Sequence, residues 1–407
     1  KARIRGQESF GMICAEDELG LGESHDGIMV LHEEAPVGMP AAMYLKLYSD
    51  HVFEIGLTPN RIDAASHFGV ARDLAAVLNH REGKRRYIPG LPLPENFRHD
   101  NENLVIPVVI EDTEACPRYS GLTISGVKVA ESPAWLKNRL LAIGQKPINN
   151  VVDVTNYVLH ELGQPLHAFD AGKIEGQRVI IRKYPGGTPF TTLDGIERKL
   201  SENDLMICHA SGPMCLGGIL GGIESGVNTD TRDVFLESAW FDPVGIRRSS
   251  NLHGIKTDAS FRFERGADPE MTLVALKRAA MMIKEVAGGQ ISSPIIDEYP
   301  RVQIPRLLEF SYERAARLIG FRIPEGQIKA ILRDLDIEIM EDRADGLRLR
   351  IPQYRVDVYR EADVVEELLR IYGYNEIPLP EKMHASLVIQ PKPDKEALQH
   401  QIAQLLS

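Results

Sequence analysis

Between Asn79 and Asn103 the chain carries Arg81, Lys84, Arg85 and Arg86, then Pro89, Pro92 and Pro94. Prolines this closely spaced withdraw backbone donors from any ladder, so the stretch predicts a linker and argues against one continuous architecture. Length agrees: 407 residues exceed what one apolar core usually organises, and two to four domains are expected. Before that stretch, residues 1 to about 50 are rich in glycine and acidic residues, and Met12-Ile13 and Ile28-Met29-Val30-Leu31 read as short strands between turns. Val52-Phe53-Glu54-Ile55 reads as another strand, after which Thr58-Pro59-Asn60-Arg61 turns the chain into a helical pattern from Ser66 to Leu78.

From Cys116 to about residue 300 the elements are longer and belong to one mixed α/β unit. Ser132-Pro133 predicts a helix start, with Leu136, Leu140 and Leu141 as its buried stripe and Gly144 as its stop. Val151, Val154, Val158 and Leu162 recur at helical spacing and end at Gly163-Gln164-Pro165. Strands are predicted at Val179-Ile180-Ile181, Leu205-Met206-Ile207 and Val234-Phe235-Leu236, and an amphipathic helix from Met271 to Val286. Pro300 to Tyr374 reads as two helices (311–319 and 324–335), a short ribbon (337–340 and 347–351) and a last helix (361–372), a small winged-helix-type arrangement. The fold class is therefore α+β and multidomain.

A net charge of −11 disfavours nucleic-acid binding over most of the surface and leaves room for a local basic patch. No apolar run is long enough to span a bilayer and no charged-then-apolar leader opens the chain, so a cytoplasmic protein is expected. Cys14, Cys116, Cys208 and Cys215 form no CxxC pair, and buried free thiols are the expected state. The first residue is Lys and the opening already reads like the middle of a folded unit, which predicts a piece of a longer protein.

Candidate chemistry concentrates in the central unit. Gly217-Gly218-Ile219-Leu220-Gly221-Gly222 permits close backbone approach to a ligand, or simply a tight turn between packed strands. Glu237 stands in a strongly apolar run, where burial would demand a partner or a ligand, while strand alternation could equally face it to solvent. His167, after a helix stop, suits a proton shuttle or hydrogen-bond orienter, or a structural role. Arg262 and Arg265, beyond Thr257-Asp258-Ala259-Ser260, suit phosphate or carboxylate contacts or an internal ion-pair network. Asp363, Glu366 and Glu367 fall at i, i+3 and i+4, with Asp357 just before that helix. Such hard oxygens suit Mg²⁺, although acidic residues also favour a first helical turn through its dipole.

Several separated phrases resemble the bacterial phenylalanyl-tRNA synthetase beta-subunit family over essentially the whole chain. They are Gly11-Met12-Ile13-Cys14 with Glu18-Leu19-Gly20, Thr58-Pro59-Asn60-Arg61, and Val151-Val152-Asp153-Val154-Thr155-Asn156-Tyr157-Val158 through His167-Ala168-Phe169-Asp170. Thr257-Asp258-Ala259-Ser260 with Glu264-Arg265-Gly266, and Ile371-Tyr372-Gly373-Tyr374-Asn375, complete the set. The resemblance implies an OB-domain remnant at 1–50, part of a B1 domain and linker at 51–103, a B3/B4 editing domain at 104–300, a B5 domain at 301–378 and the start of a catalytic-like region at 379–407. It also implies hydrolysis of Tyr-tRNA(Phe), with Glu237 accepting the tyrosine hydroxyl proton and His167 and Thr155 acting at the ester. Lys146, Gly218, Gly221, Thr257 and Ala259 would contact the substrate, Lys146 standing where some relatives have Arg. Mg²⁺, shared with the alpha subunit, would sit at Asp357, Asp363, Glu366 and Glu367. Partners implied are that subunit, in a heterotetramer of two alpha and two beta chains, and tRNA(Phe). ATP would serve the holoenzyme without binding this chain. The alternative expectation is a non-catalytic scaffold for tRNA and the alpha subunit; a stand-alone B3/B4-type protein would not need the last module.

Overall fold

A computed structural model describes residues 2–4, 6–22, 24–94, 96–379 and 394–407. Two compact units divide at Glu54 and Ile55. In the first, strands β1 (Ala2–Ile4) and β2 (Gln7–Ser9) pair antiparallel, and α1 (Ala41–Tyr44) is a single turn. The strands expected at Met12-Ile13, Ile28–Leu31 and Val52–Ile55 do not form. A strand depends on a neighbour to pair with, and Met12, Ile13, Val30 and Phe53 are instead exposed.

The second unit begins with helix α2 (His67–Glu82), capped by Ser66 Oγ accepting from Gly69 N and stopped at Gly83 with φ +66°. It reaches into the basic stretch that read as a linker. That stretch is fastened at both ends. Asn79 Oδ1 accepts from the backbone N–H of Arg86 (2.9 Å) and Tyr87 (2.8 Å), and its Nδ2 donates to Tyr87 O. Asp100 accepts from Lys284 Nζ at 2.6 Å and from Ile291 N at 2.9 Å.

The central region follows in the order β3 (Val108–Ile110), β4 (Arg118–Ser125), α3 (Ala134–Ala142), α4 (Val152–Leu162), β5 (Leu166–Asp170) and β6 (Val179–Lys183). Next come the hairpin β7 (Pro189–Thr191) and β8 (Glu197–Lys199), then β9 (Leu205–Cys208), β10 (Pro213–Leu216), β11 (Leu220–Gly221) and β12 (Asp233–Trp240). Helices α5 (Pro243–His253), α6 (Asp258–Phe263) and α7 (Met271–Ala287) and strands β13 (Gln290–Ile291) and β14 (Ile296–Glu298) complete it. Ser132, expected to cap α3, donates instead to Asp153 Oδ2, leaving Pro133 before the first turn.

One sheet runs β13-β4-β12-β5, with β14 also on β4; the other runs β11-β10-β9-β6-β3, antiparallel except for β3 on β6. Alternation along β4, β12 and β5 sends Leu122, Ile124, Val234, Leu236 and Ala168 to one face, where they pack against Val154 and Val158 of α4 and Ala275, Leu276 and Ala279 of α7. The opposite face sends Tyr119, Phe235, Ala239 and Phe169 into a second core with Ile181, Met206, Ile207, Cys215 and Leu216 of the other sheet. Each fully buried aliphatic or aromatic side chain contributes about 1.5–3 kcal/mol, so this sandwich fixes the strand registers that build the site.

The last module comprises β15 (Arg306–Ser311), α8 (Tyr312–Ile319), α9 (Glu325–Asp334), β16 (Glu338–Arg343), β17 (Gly346–Ile351) and α10 (Glu361–Tyr372), its sheet ordered β15-β17-β16. The predicted helices, ribbon and last helix are all present; β15 adds a strand that the sequence pattern did not predict. Ile331, Leu332, Leu349, Val364 and Leu368 form its core, which Ala76 of α2 joins. Of the catalytic-like start expected at 379–407, residues 380–393 lie outside the described residues; helix α11 (Lys395–Leu406) forms in the rest of it. Among the described residues, no helix is long and apolar enough to cross a membrane.

Candidate functional site

Strand register brings the central candidates together. On β12, Glu237 stands directly opposite His167 of β5 on one side and Gly121 of β4 on the other. Directly opposed residues have Cβ atoms about 4.5–5.5 Å apart, and Glu237 and His167 share the face turned toward the second sheet. Glu237 is 5% exposed, which settles the choice between solvent and interior in favour of the interior. Its partner is one that the sequence did not reveal: Tyr119 Oη donates to Glu237 Oε2 at 2.5 Å. Tyr119 lies two residues from Gly121 and so on the same face of β4. The alternation in Arg118–Ser125 was the available signal, but the polar residues interleaved there hid a buried strand.

Burial pushes the Glu237 carboxyl up to about 7, and the Tyr119 hydrogen bond works against that rise. Burial and the charge of Glu237 push the Tyr119 phenol well up. Burial also lowers His167 to about 4, so its imidazole is neutral at neutral pH. The His167 ring meets Phe169 edge-on with centroids 4.5 Å apart, and its Nε2 is enclosed with no hydrogen-bond partner among the described residues. An enclosed, unpaired nitrogen is costly to a fold, and here it stands one cross-strand step from Glu237.

Gly221 of β11 faces His167 of this pair: a Cβ on it would lie 2.8 Å from His167 Cε1 and 3.0 Å from Leu193 Cδ1. Its neighbour in the cluster does something else. Gly218, at φ +68°, has the space of its absent side chain filled by Phe241, Ile246 and Phe263, so it serves a turn packed on the core and not the Glu237 pair. Thr257 caps α6, accepting from Ser260 N and donating to Ile219 O at 2.9 Å, which ties α6 to the turn before β11. Ala259, half-buried, packs on the same core. Gln145 Nε2 donates to Asp258 Oδ2 at 2.9 Å and so brings the loop carrying the exposed Lys146 to the start of α6.

Thr155 is placed differently. Its hydroxyl donates to Val152 O at 2.7 Å within α4, and α4 packs on the face of the sheet away from Glu237. Arg262 and Arg265 take the internal role. Arg262 is buried and donates to Asp258 O, to Ala65 O and toward His160, while Arg265 pairs with Glu264 at 2.6 Å and stacks on Phe261.

The four carboxylates proposed for Mg²⁺ do not converge. Asp357 accepts from Arg355 Nε at 3.1 Å and from Asn60 Nδ2 at 3.2 Å, and Asp363 accepts from the backbone N–H of Tyr359 and Arg360 at the start of α10. Glu367 is buried and accepts from Arg355 Nη1 at 2.8 Å and Arg370 Nη2 at 2.6 Å. Burial would raise its carboxyl, but those arginines hold it down at about 2. Glu366 is exposed; as the very next residue on a helix it points about 100° away from Glu367. Among the described residues no group of three or more His, Cys, Asp or Glu side chains is arranged to hold a metal ion. Arginine supplies the positive charge here, and the donor set does not fit Mg²⁺ as it stands.

Residues 115–288 match the B3/4 domain family, and residues 308–374 match the tRNA synthetase B5 domain. The two-sheet unit and the last module thus define a chain of the tRNA synthetase class. Three curated proteins named phenylalanine–tRNA ligase beta subunit agree with it closely. That of Bacteroides fragilis is 52% identical over 407 residues, covering 100% of this chain and 49% of that protein. That of Porphyromonas gingivalis is 51% identical over 398 residues (97% and 48%), and that of Salinibacter ruber 43% over 411 residues (99% and 48%). The chain belongs to the phenylalanine–tRNA ligase beta-subunit family. It spans about half the length of the curated relatives it matches. The crystal structure of an N-terminal fragment of the phenylalanyl-tRNA synthetase beta-subunit from Pyrococcus horikoshii is a looser likeness, 19% identical with a TM-score of 0.38, covering 78% of this chain and 85% of that one.

Proposed function

We propose that the central unit hydrolyses tyrosine wrongly esterified to tRNA(Phe), releasing tyrosine and free tRNA. An apolar pocket selecting phenylalanine rejects tyrosine poorly, because a hydroxyl adds little bulk, and a second site that recognises the hydroxyl restores accuracy, as reasoned for other aminoacyl-tRNA synthetases. One observation carries this reading: buried Glu237 beside neutral His167 with its enclosed, unpaired Nε2, facing Gly221. Glu237 accepts the phenol proton in a hydrogen bond, Gly221 lets its strand lie directly against the His167 ring, and His167 offers its nitrogen to the ester or the attacking water. In the reaction, water oxygen adds to the ester carbonyl carbon, the bond from that carbon to the ribose oxygen breaks, and the ribose oxygen gains a proton. Lys146, Thr257 and Ala259 belong to the rim formed by α6 and its neighbouring loop.

The wider assignment goes with it: tRNA(Phe) and an alpha subunit as partners, and ATP use and aminoacylation residing in that subunit. Release of tyrosine from mischarged tRNA is the test, comparing unmodified protein with Glu237→Ala at equal concentration. A clear loss of rate is expected, and equal rates would remove Glu237 from the chemistry. The second reading, a scaffold that holds tRNA and the alpha subunit without chemistry, is supported instead if neither protein releases tyrosine.

A further inference from the structure

Glu237 has two oxygens, and the fold treats them differently. Oε2 takes the Tyr119 hydroxyl at 2.5 Å, while no hydrogen bond from a described residue reaches Oε1. Tyr119 cannot easily move: it is fully buried and packed in the core between the sheets. Nor can the carboxylate readily swing across to Gly121, because the Phe235 ring fills that place and leaves Cζ 2.5 Å from where a Cβ on Gly121 would be. The titratable neighbours of this carboxylate are Tyr119 and Cys116 around β4, His167 on β5 and Cys215 on β10.

We propose that Tyr119 is a positioning residue for tyrosine specificity: its hydroxyl holds Oε2 so that Oε1 is the oxygen presented to an incoming phenol. This rests on the hydrolytic reading above and adds a proton-state consequence. With Oε2 committed as an acceptor from Tyr119, a proton on the Glu237 carboxyl resides on Oε1. That oxygen then changes from acceptor to donor, and its preference for a phenol over a bare ring falls. Tyrosine preference therefore increases as Glu237 ionises. Removing the Tyr119 hydroxyl takes away a bond that favours the ionised form, so the rise moves to higher pH.

The test is calorimetric binding of free tyrosine and free phenylalanine to the full chain across about pH 6 to 8, for unmodified protein, Tyr119→Phe and Glu237→Ala. Unmodified protein should prefer tyrosine increasingly as pH rises. Tyr119→Phe should lose about tenfold of that preference, as expected for one hydrogen bond to a charged group, and show its midpoint at higher pH. If Glu237→Ala abolishes the preference while Tyr119→Phe keeps both its size and its midpoint, Tyr119 only packs and the proposal is overturned while the hydrolytic reading stands. If Glu237→Ala keeps the preference, both fall. Should Tyr119→Phe fail to fold, the unmodified protein still decides, since a preference that is flat across this pH range overturns the proposal.

Discussion

Moving a carboxylate out of water is costly unless a strong partner receives it, and Glu237 has a neutral phenol where Glu367 has two arginines. The two acids consequently shift in opposite directions. Glu237 rises from 4.5 to about 7. Below 4.5 it is protonated in both states and costs nothing; between 4.5 and about 7 the unfolded chain gives up the proton that the folded state keeps, so stability falls across that window by about 3 kcal/mol and stays lower above it. Glu237→Gln should escape that fall. Urea unfolding of the central unit at about pH 5 and about pH 8 should show the variant gaining on the unmodified chain far more at the higher pH. Gly221 offers a second residue-scale test. Gly221→Ala forces a methyl to 2.8 Å from the His167 ring, so we expect a loss of about 1–3 kcal/mol together with slower tyrosine release. Gly218→Ala, strained by its positive φ and facing Phe241 and Ile246, should lower the melting temperature through core packing. The Gly cluster was visible in the sequence, but which glycine meets a functional side chain depends on the strand facing each one.

Helices were the most legible elements. The spacing of Val151, Val154, Val158 and Leu162 and the stop at Gly163, with φ +81°, describe α4 almost to the residue, because both signals are local. Strand β4 was not legible: Ser120, Gly121 and Thr123 lie fully inside or tightly packed, and only layers packed on both faces of the sheet make such residues interior. The acidic helix α10 shows the same division. Its periodicity was evident, but the fate of its carboxylates was set by Arg355, buried to 2% exposure, which binds Glu367 and Asp357 together, and by Arg370, which joins Glu367 to Asp73 of α2. Arg355→Ala removes one partner of a buried pair and should cost about 3–5 kcal/mol in thermal or denaturant unfolding of this module. Glu367 contributes stability that is complete above its unfolded value of 4.5 and lost as pH falls toward 2. Arg355→Ala should flatten that acid dependence.

At the scale of the molecule, the stretch that read as a linker is a strap fastened to α2 and to the end of α9. Asn79 of α2 holds Arg86 and Tyr87, and Arg85 pairs with Asp334 of α9 at 3.0 Å. Asn79→Ala should therefore speed tryptic cleavage at Arg85 and Arg86 several-fold, since cutting needs local release of the backbone; an unchanged digestion pattern would count against the strap. From the sequence alone came the α+β class, α4, α7 and the helices of the last module, and the family resemblance, all of which rest on periodicity, punctuation and short phrases. Only the tertiary structure decided that Tyr119, Glu237, His167 and Gly221 come together, that Thr155 stands on the other side of the sheet, and that Glu367 of α10 is taken up by two arginines. The reason is physical: a repeat of 2 or 3.6 residues is written within one element, whereas the neighbour of a buried polar group is chosen by register and by the layer packed against it.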